Sequence, residues 1–178
     1  MDLGQLRRGV DMGPSAIRYA GAIERLQSIG HRVVDEGDIY IDHSKKGNSN
    51  HTTLRNLDAV ANANIELAHK VHKVVAAGQF PLVLGGDHSI AIGTLAGISD
   101  AYKNLGVIWY DAHADMNTSD TSPTGNIHGM PLAVSMGLGH ERLVNIRDYS
   151  PKVKPENIVI IGARSIDEGE KKLIHQKG

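Results

Sequence analysis

The chain has 178 residues, of which 40% are hydrophobic and 22% charged, and its formal net charge is −1. These values are ordinary for a globular domain, and a charge so close to zero gives no reason to expect a nucleic-acid or membrane partner. The absence of cysteine excludes a disulfide framework, a thiolate metal site and a cysteine nucleophile. No apolar run approaches the roughly 18 residues of a membrane span, and the N-terminus lacks the apolar core of a signal peptide, so a cytoplasmic location is expected.

The first half of the chain is predicted to be mainly helical. Gly13-Pro14-Ser15 is typical of a helix start, and apolar residues near helical spacing continue to Gly30. Residues 32–41 are predicted as one or two short strands, and the polar stretch 42–52 as a loop. The apolar positions from Leu54 to Val75 then repeat with the period of a long amphipathic helix.

Three apolar runs alternate with helical segments in the rest of the chain, and each has the pattern of a strand buried on both faces. The runs are Pro81–Leu84, Val107–Tyr110 and Ile158–Ile161. Helices are predicted over residues 89–102 and 131–138 and from residue 168, and a loop over residues 118–126. Buried strands that alternate with helices indicate βαβ units, so we predict an α/β fold with a mainly parallel sheet.

Unusual polar residues follow each of the three predicted strands. They lie in the segments Gly85–His88, Asp111–Asp115 and Gly162–Asp167. Because ligands bind beyond the carboxyl ends of the strands in open α/β sheets, we expect these three clusters to converge on one crevice.

The second cluster has the composition of a metal site. In an extended chain the two-residue spacing of Asp111, His113 and Asp115 directs their side chains to the same side. Unpaired carboxylates are costly to bury, and a divalent cation removes that cost. Carboxylate and imidazole ligands without sulfur favour manganese and, less well, iron(II), cobalt or zinc, and several of them can hold two ions. We predict His88, Asp111, His113 and Asp115 as metal ligands, with a hydrogen-bonded structural cluster as the alternative.

The first and second of these polar clusters resemble the first two signature motifs of the ureohydrolase family, which includes arginases, agmatinases and formiminoglutamases. The motifs are Gly85-Gly86-Asp87-His88-Ser89 and Asp111-Ala112-His113-Ala114-Asp115. The similarity extends along the whole chain and is strongest to the bacterial arginases. It implies a three-layer αβα fold of the arginase/deacetylase type with a mainly parallel sheet. It further implies two Mn²⁺ ions in a complete site, and assembly into trimers or hexamers.

The loop after the second motif resembles that of arginases more than that of agmatinases. In arginases the Asn and Ser/Thr positions of this loop hold the α-carboxylate of the substrate, which agmatine lacks. The residues that match this loop are Asn117, Thr124, Asn126 and His128, and those that match the region holding the α-amino group are Asp167 and Glu170. For the loop alone, the alternative is a Ser/Thr/Gly turn without function.

The reaction that the resemblance implies is hydrolysis of L-arginine to L-ornithine and urea by a hydroxide that bridges two metal ions. Asp115 matches the position that passes a proton to the leaving amine. His128 matches the proton shuttle, a role that suits an imidazole titrating near neutrality. The alternative role for His128 is to cap the helix predicted to begin near Pro131.

The chain departs from the family pattern at both ends. The third family motif, an Asp-x-Asp pair on a later strand, is absent from the 178 residues, as is the strand that normally precedes Met1. We therefore expect residues 1–178 to be a single truncated ureohydrolase domain that lacks an early strand and the C-terminal portion, with an incomplete second metal site and little activity. The alternatives are an agmatinase or another ureohydrolase, and a non-catalytic remnant of the fold.

Overall fold

The computed structural model describes residues 1–41 and 53–177, so the loop predicted over residues 42–52 lies outside the described residues. Within them, no helix is long and apolar enough to cross a membrane. The helices and strands are α1 (Gly13–Tyr19), α2 (Ala22–Ser28), α3 (Leu57–Ala76), α4 (Ile90–Ser99), β1 (Val107–Tyr110), α5 (Pro131–Ser135), α6 (Glu141–Val144), β2 (Ile158–Ile161) and α7 (Glu168–Lys177). Short 3-10 helices lie at Val10–Met12, Ile127–Gly129, Ile146–Asp148 and Pro155–Asn157.

The helix predicted over residues 13–30 is divided into α1 and α2. Gly21 lies between them with φ +83°, in the left-handed region that glycine enters without steric cost.

Residues 32–41 form no strand pairs within the described part of the chain, so the strand prediction for this segment is wrong. Lys70 Nζ donates to the carbonyl oxygens of Glu36 and Asp38, at 3.3 and 3.0 Å. These are acceptors that a neighbouring strand would otherwise use. Arg18 of α1 also pairs with the Asp38 carboxylate at 2.9 Å. Side-chain contacts to two helices therefore hold this segment in place of a strand ladder.

The predicted long helix is confirmed as α3, and α4 packs closely along it through two glycines. A Cβ at Gly97 would lie 2.6 Å from the Ala68 carbonyl oxygen, and one at Gly93 would lie 2.5 Å from that of Asn64. The two helix backbones can approach this closely only because glycine has no side chain.

Asn64 is a buried polar residue within this apolar contact. Its Oδ1 accepts a hydrogen bond from Gly93 N at 2.8 Å, and its Nδ2 donates to Val60 O at 2.9 Å. Gly93 lies in the first turn of α4, so this hydrogen bond ties the start of α4 to α3. Asn64 thereby fixes the N-terminal end of α4, which begins two residues after His88.

The strands β1 and β2 form a parallel pair, as predicted, in register from Val107↔Ile158 to Tyr110↔Ile161. One face of the pair, which includes Trp109, packs in a core with residues of α4, α5 and α7. The other face is open within the described residues, where Ile108 is 74% exposed. The prediction of burial on both faces is therefore wrong for this pair, because the helices described here pack against one face.

The run Pro81–Leu84 forms no strand within the described structure, so the prediction of a third buried strand is wrong. Leu82 is exposed, whereas Val83 packs against a cluster of α3 residues that includes Val71. Val83 packs the run against α3, and the run leads directly into the polar segment that contains His88.

Replacement of Gly97 by alanine is expected to destabilise the protein by about 1–3 kcal/mol, because the added methyl group must push the α3 and α4 backbones apart. Chemical denaturation measures the change in the free energy of unfolding. Gly106→Ala is the matched control, since its methyl group would meet its nearest neighbour at an ordinary 3.8 Å. Equal free energies of unfolding for Gly97→Ala and Gly106→Ala would contradict the close packing.

Lys152 is a buried cation that connects the segments after α5. Its side chain lies 4.2 Å from the centre of the Tyr149 ring, and its Nζ donates to the carbonyl oxygens of Val144, at 3.0 Å, and Tyr149. Burial lowers the pKa of Lys152 to about 8, although Asp100 and Asp148 act in the opposite direction.

The lowered pKa of Lys152 makes the stability depend on pH. Between about pH 8 and the ordinary lysine value, the unfolded chain binds a proton that the folded chain has lost. The contribution of this group to the free energy of unfolding therefore rises with pH over that window. We expect the wild type to gain stability relative to Lys152→Met between pH 8 and 9.5, as measured by denaturant titrations at each pH. A constant difference between the two proteins would contradict the lowered pKa.

Candidate metal centre

The polar residues after β1 and before α4 meet at one point. His88 Nδ1 lies 3.0 Å from Asp111 Oδ2 and 2.7 Å from Asp115 Oδ2. The three residues each offer one ligand atom, and these atoms all lie within 4.8 Å of one another. Ligand atoms bound at right angles to one ion at about 2.1 Å are roughly 3 Å apart. This arrangement is therefore compact enough for three ligands of a single ion.

The Asp115 carboxylate supplies the clearest sign that a cation fits. Asp115 is 5% exposed, and its Oδ2 has no hydrogen-bond donor among the described residues. Its short contact with His88 Nδ1 lacks the geometry of a hydrogen bond. A buried carboxylate oxygen without a donor is costly, and a metal ion bound between these side chains would remove that cost.

The backbone around Asp115 holds this side chain in place. Asp115 has φ +51°, and its carbonyl oxygen accepts hydrogen bonds from Leu132 N at 3.1 Å and Ala133 N at 3.4 Å. Both amides belong to the first turn of α5, where amides have no partner within the helix. The N-terminal end of α5 thus fixes the bend that follows the second motif.

Backbone hydrogen bonds continue beyond β1 and β2 and join the second and third polar clusters. Asp111 N donates to Ile161 O at 3.0 Å, and Ala112 O accepts from the amides of Arg164 and Ser165 at 2.8 and 3.0 Å. Together with the contacts of His88, these bonds confirm the predicted convergence of the three clusters on one site.

His113 lies at the edge of the group. Its side chain is 60% exposed, and its Nδ1 is 3.2 Å from Asp111 Oδ1, the oxygen that faces away from His88. The backbone amide of His113 donates to the same oxygen at 2.9 Å. The structure therefore brings three of the four predicted ligands together and leaves His113 on the far side of the shared carboxylate.

The charged neighbours in the group shift the pKa values of His88 and Asp111. Burial lowers the pKa of His88, but the nearby carboxylates of Asp115 and Asp111 outweigh this effect and raise it above the ordinary histidine value. Burial raises the pKa of Asp111, but the amide of His113 and the charge of His88 outweigh this effect and lower it. A proton on His88 would offset part of the carboxylate charge, and a metal ion that binds Nδ1 would displace that proton.

Asp87 precedes His88 in the sequence, and its carboxylate binds Gly4 and Ser89. Its Oδ2 accepts a hydrogen bond from Gly4 N at 2.9 Å, and its Oδ1 accepts from the amide and the hydroxyl of Ser89. The carbonyl oxygen of Gly4 in turn accepts from His128 N at 3.0 Å. Gly4, near the N-terminus, therefore connects the segment that contains His88 with the segment that contains His128. The sequence analysis did not predict this link, because it joins segments that are distant in the sequence.

Trp109 is a second neighbour that sequence reasoning missed. Its ring stacks on the His88 imidazole, with ring centres 4.4 Å apart and an interplanar angle of 20°. The alternation of side chains along β1 is the signal that could have found it, since Trp109 lies two residues before Asp111.

The predicted loop over residues 118–126 is confirmed. The two chain segments on either side of it are joined by a backbone hydrogen bond. Asn117 N donates to Gly129 O at 3.1 Å. The Asn117 side chain is buried, where its Nδ2 donates to Asp167 Oδ2 and its Oδ1 accepts from Thr121 Oγ1, both at 2.9 Å. The structure thus pairs two of the predicted substrate-binding residues, Asn117 and Asp167.

The other predicted loop residues lie further along the same loop. Thr124 is exposed, and its Oγ1 accepts from Asn126 N at 3.2 Å. The Oδ1 of Asn126 is buried without a hydrogen-bond donor among the described residues. The N-cap residue of α5 is Met130, and no side-chain capping hydrogen bond is found there among the described residues, so His128 does not have its alternative role as a helix cap.

The sequence profile of the arginase family matches residues 1–178, which is the whole chain. This chain belongs to the arginase family. It is 66% identical over its full length to an arginase from Bacillus subtilis and 63% identical to one from Bacillus caldovelox. Among solved structures, the native arginase from Bacillus caldovelox superposes with a TM-score of 0.95 at 63% identity.

These comparisons also define the extent of the match. The chain spans 60% of the length of both curated relatives and 60% of the Bacillus caldovelox chain, and each match covers 100% of the chain itself. The fold is therefore an incomplete arginase-like α/β fold with a parallel sheet and flanking helices.

Asp115→Asn is expected to abolish most of the stabilisation by manganese, because the side chain loses a charged ligand. If the wild type binds Mn²⁺, a concentration 100 times the dissociation constant should raise the free energy of unfolding by about 2.7 kcal/mol. Denaturant titrations with Mn²⁺ or with a chelator measure this rise. Asp120→Asn, in the exposed loop, is the matched control and should keep the full effect. An equal rise in Asp115→Asn would rule out Asp115 as a ligand.

Proposed function

We propose that this chain contains the metal-binding and substrate-binding residues of an arginase, which hydrolyses L-arginine to L-ornithine and urea. The observation that supports the proposal is the convergence of His88, Asp111 and Asp115 beside the paired side chains of Asn117 and Asp167. Residues 1–178 form a single ureohydrolase domain in this proposal, which lacks the early strand and the C-terminal portion of the complete family fold. By the same family resemblance we expect a cytoplasmic homo-oligomer, either a trimer or a hexamer.

Manganese is the proposed metal, with His88, Asp111, His113 and Asp115 as its ligands. The donors are carboxylate and imidazole without sulfur, and the unpartnered Asp115 Oδ2 is supporting evidence for a cation between them. In a complete family site two ions are expected. Asp111 would be the ligand shared between them, a role supported by its two oxygens, of which one lies near His88 and the other near His113. Bound manganese supplies the means to lower the pKa of a water molecule toward neutrality.

The loop after β1 is proposed to select the amino-acid end of the substrate. Thr124 and Asn126 offer a hydroxyl and an amide for the α-carboxylate, together with Asn117. Asp167, an exposed residue, is proposed to hold the α-amino group. The Asn117–Asp167 hydrogen bond orients both residues before a substrate arrives.

Two residues are proposed to handle protons. Asp115 is buried beside His88, where its carboxylate can accept a proton from the attacking water and pass it to the leaving amine. His128, which the hydrogen bond to Gly4 fixes at the end of the loop, is proposed to exchange protons with solvent.

A second candidate function is metal binding without turnover. The observation that favours it is that three side chains, enough for one ion, form the compact group within the described residues, while His113 lies at its edge. One set of measurements separates the two candidates. Binding of Mn²⁺ and L-ornithine together with release of urea from L-arginine supports the arginase. Binding of Mn²⁺ without release of urea supports the second candidate.

The specificity proposal predicts that the full-length protein containing this chain, loaded with manganese, prefers L-arginine to agmatine by about two orders of magnitude or more in kcat/KM. A site built to hydrogen-bond a carboxylate leaves polar groups unpaired when the carboxylate is missing. Urea release from both substrates measures the ratio.

The side chain responsible can be tested in the same assay. Thr124→Val should lower kcat/KM for L-arginine and leave the value for agmatine nearly unchanged. Ser119→Ala, in the same loop, is the control and should preserve the ratio. Equal kcat/KM for the two substrates in the wild type would refute the assignment of Asn117, Thr124 and Asn126.

A further inference from the structure

Arg55 lies just before α3 and contacts the loop that contains the proposed carboxylate-binding residues. Its Nε donates a hydrogen bond to the carbonyl oxygen of Thr124 at 2.9 Å, and its backbone amide donates to the carbonyl oxygen of Gly125 at 3.0 Å. One residue thus binds two successive carbonyl groups of a loop, and the first of these belongs to a residue 69 positions further along the chain.

The two segments are in close contact through their backbones. Gly125 is buried and has φ +69°, in the left-handed region that favours glycine. A Cβ at this position would lie 2.2 Å from the Thr53 carbonyl oxygen, so the loop can approach this segment only because it has a glycine there. The turn of the loop is therefore packed directly against residues 53–55.

Core residues on both sides of Arg55 anchor its backbone. Leu54 is completely buried, and Leu57 is 2% exposed. Both belong to the same apolar cluster as Ile127, which follows the loop directly. The backbone of Arg55 is thus fixed by packing, and the side chain extends from this anchored position to the loop.

The carbonyl groups that Arg55 binds lie between two of the proposed carboxylate-binding residues. Thr124 O belongs to the peptide unit that joins Thr124 to Gly125, and Gly125 O belongs to the unit that joins Gly125 to Asn126. Within the same turn, Thr124 Oγ1 accepts a hydrogen bond from Asn126 N at 3.2 Å. Arg55 therefore fixes the orientation of both peptide units that separate the Thr124 hydroxyl from the Asn126 amide.

We propose that Arg55 is a positioning residue for the Thr124–Asn126 turn and thereby sets the preference for a substrate that carries an α-carboxylate. This inference rests on the proposed function. Arg55 acts through the backbone of the turn. Without the hydrogen bond from Nε, the Thr124 carbonyl group is released, and the Thr124 hydroxyl loses its fixed place relative to Asn126.

The position of the donor along the side chain decides which variants test this role. In glutamine, Nε2 is separated from Cα by the same number of bonds as Nε in arginine, so Arg55→Gln keeps a donor at this place without the charge. In lysine a methylene group takes this place and the ammonium lies one atom further out, so Arg55→Lys keeps the charge but moves the donor. Arg55→Met has neither the donor nor the charge.

The matched control is Arg142→Met. Arg142 also lies against the N-terminal half of α3, but it pairs there with Asp58. The same change of residue type is thus made beside the same helix, at a different contact.

The first experiment tests the contact and requires no substrate. Amide hydrogen exchange is measured in the full-length protein containing this chain, at residue 55, whose acceptor is Gly125 O, and at Asn126. The loss of one hydrogen bond changes an opening equilibrium by about fivefold, so we expect exchange to be about fivefold faster in Arg55→Met and Arg55→Lys. Arg55→Gln and Arg142→Met should exchange as the wild type does. Equal exchange in all five proteins would overturn the inference.

The second experiment tests selectivity, with L-ornithine and 1,4-diaminobutane as probes. The second compound keeps both amines of L-ornithine but lacks the carboxylate. Calorimetry on the full-length protein at saturating Mn²⁺ gives the ratio of the two dissociation constants. Misplacement of a binding group by about 1 Å costs up to about 100-fold, so we expect the preference for L-ornithine to fall about tenfold in Arg55→Met and Arg55→Lys. Arg55→Gln and Arg142→Met should retain the preference.

A Thr124→Val background separates positioning of the turn from a general loss of structure. If Arg55 acts by placing the Thr124 hydroxyl, Arg55→Met should lower the preference for L-ornithine less in Thr124→Val than in the wild type, because the two effects are coupled. An undiminished loss in the double variant would show that Arg55 does not act through Thr124 and would overturn the inference.

These measurements separate a failure of this inference from a failure of the proposed function. If the wild type does not prefer L-ornithine to 1,4-diaminobutane, the proposed function is contradicted, and with it the role of Arg55 in selectivity. If the wild type has the preference and both Arg55→Met and Arg55→Lys retain it, the inference is wrong and the proposed function stands. Retention in Arg55→Lys with loss in Arg55→Gln would show that the charge sets the preference, which would also overturn the inference. The comparison of these last two variants decides the question even if Arg55→Met does not fold.

Discussion

The parallel pairing of β1 with β2 is the constraint on which the candidate site depends. The pairing does not stop where the strands end, because Asp111 N bonds to Ile161 O, and Ala112 O accepts from the two amides at Arg164 and Ser165. The residues that follow both strands are therefore placed by backbone hydrogen bonds. Residues placed by such a frame need little rearrangement to bind a cation, which would reduce the cost of organising the site.

Three buried carboxylates near the site show how differently the same group can be used. Asp87 and Glu170 are each satisfied by hydrogen bonds, mainly from backbone amides, and they connect segments that are distant in the sequence. Asp115 is equally buried, but one of its oxygens has no donor among the described residues. Asp87 and Glu170 therefore stabilise the fold through their hydrogen bonds, whereas Asp115 has an oxygen that is available to a metal ion.

Much of this organisation could be predicted from the sequence, and the failures have specific causes. Apolar runs followed by polar residues located β1, β2 and the convergence of His88 with Asp111 and Asp115, because such patterns depend on local burial and strand direction. The sequence could not show that residues 32–41 use their carbonyl groups for Lys70, since that contact joins segments more than 30 residues apart. The hydrogen bond from Met116 N to Glu170 could not be predicted either, because it also joins segments that are distant in the sequence. The family resemblance identified its region but not its partners.

The backbone conformation of Asp115 limits how this position can change over evolutionary time. Aspartate, asparagine and glycine enter the left-handed region more readily than other residues. A lineage that lost the need for a metal ion could exchange Asp115 for asparagine or glycine and keep the bend that receives the amides of α5. Exchange for glutamate would preserve the charge but strain the bend. In a related protein that has lost the metal ion, asparagine or glycine at this position would be consistent with an ancestral aspartate that coordinated the metal.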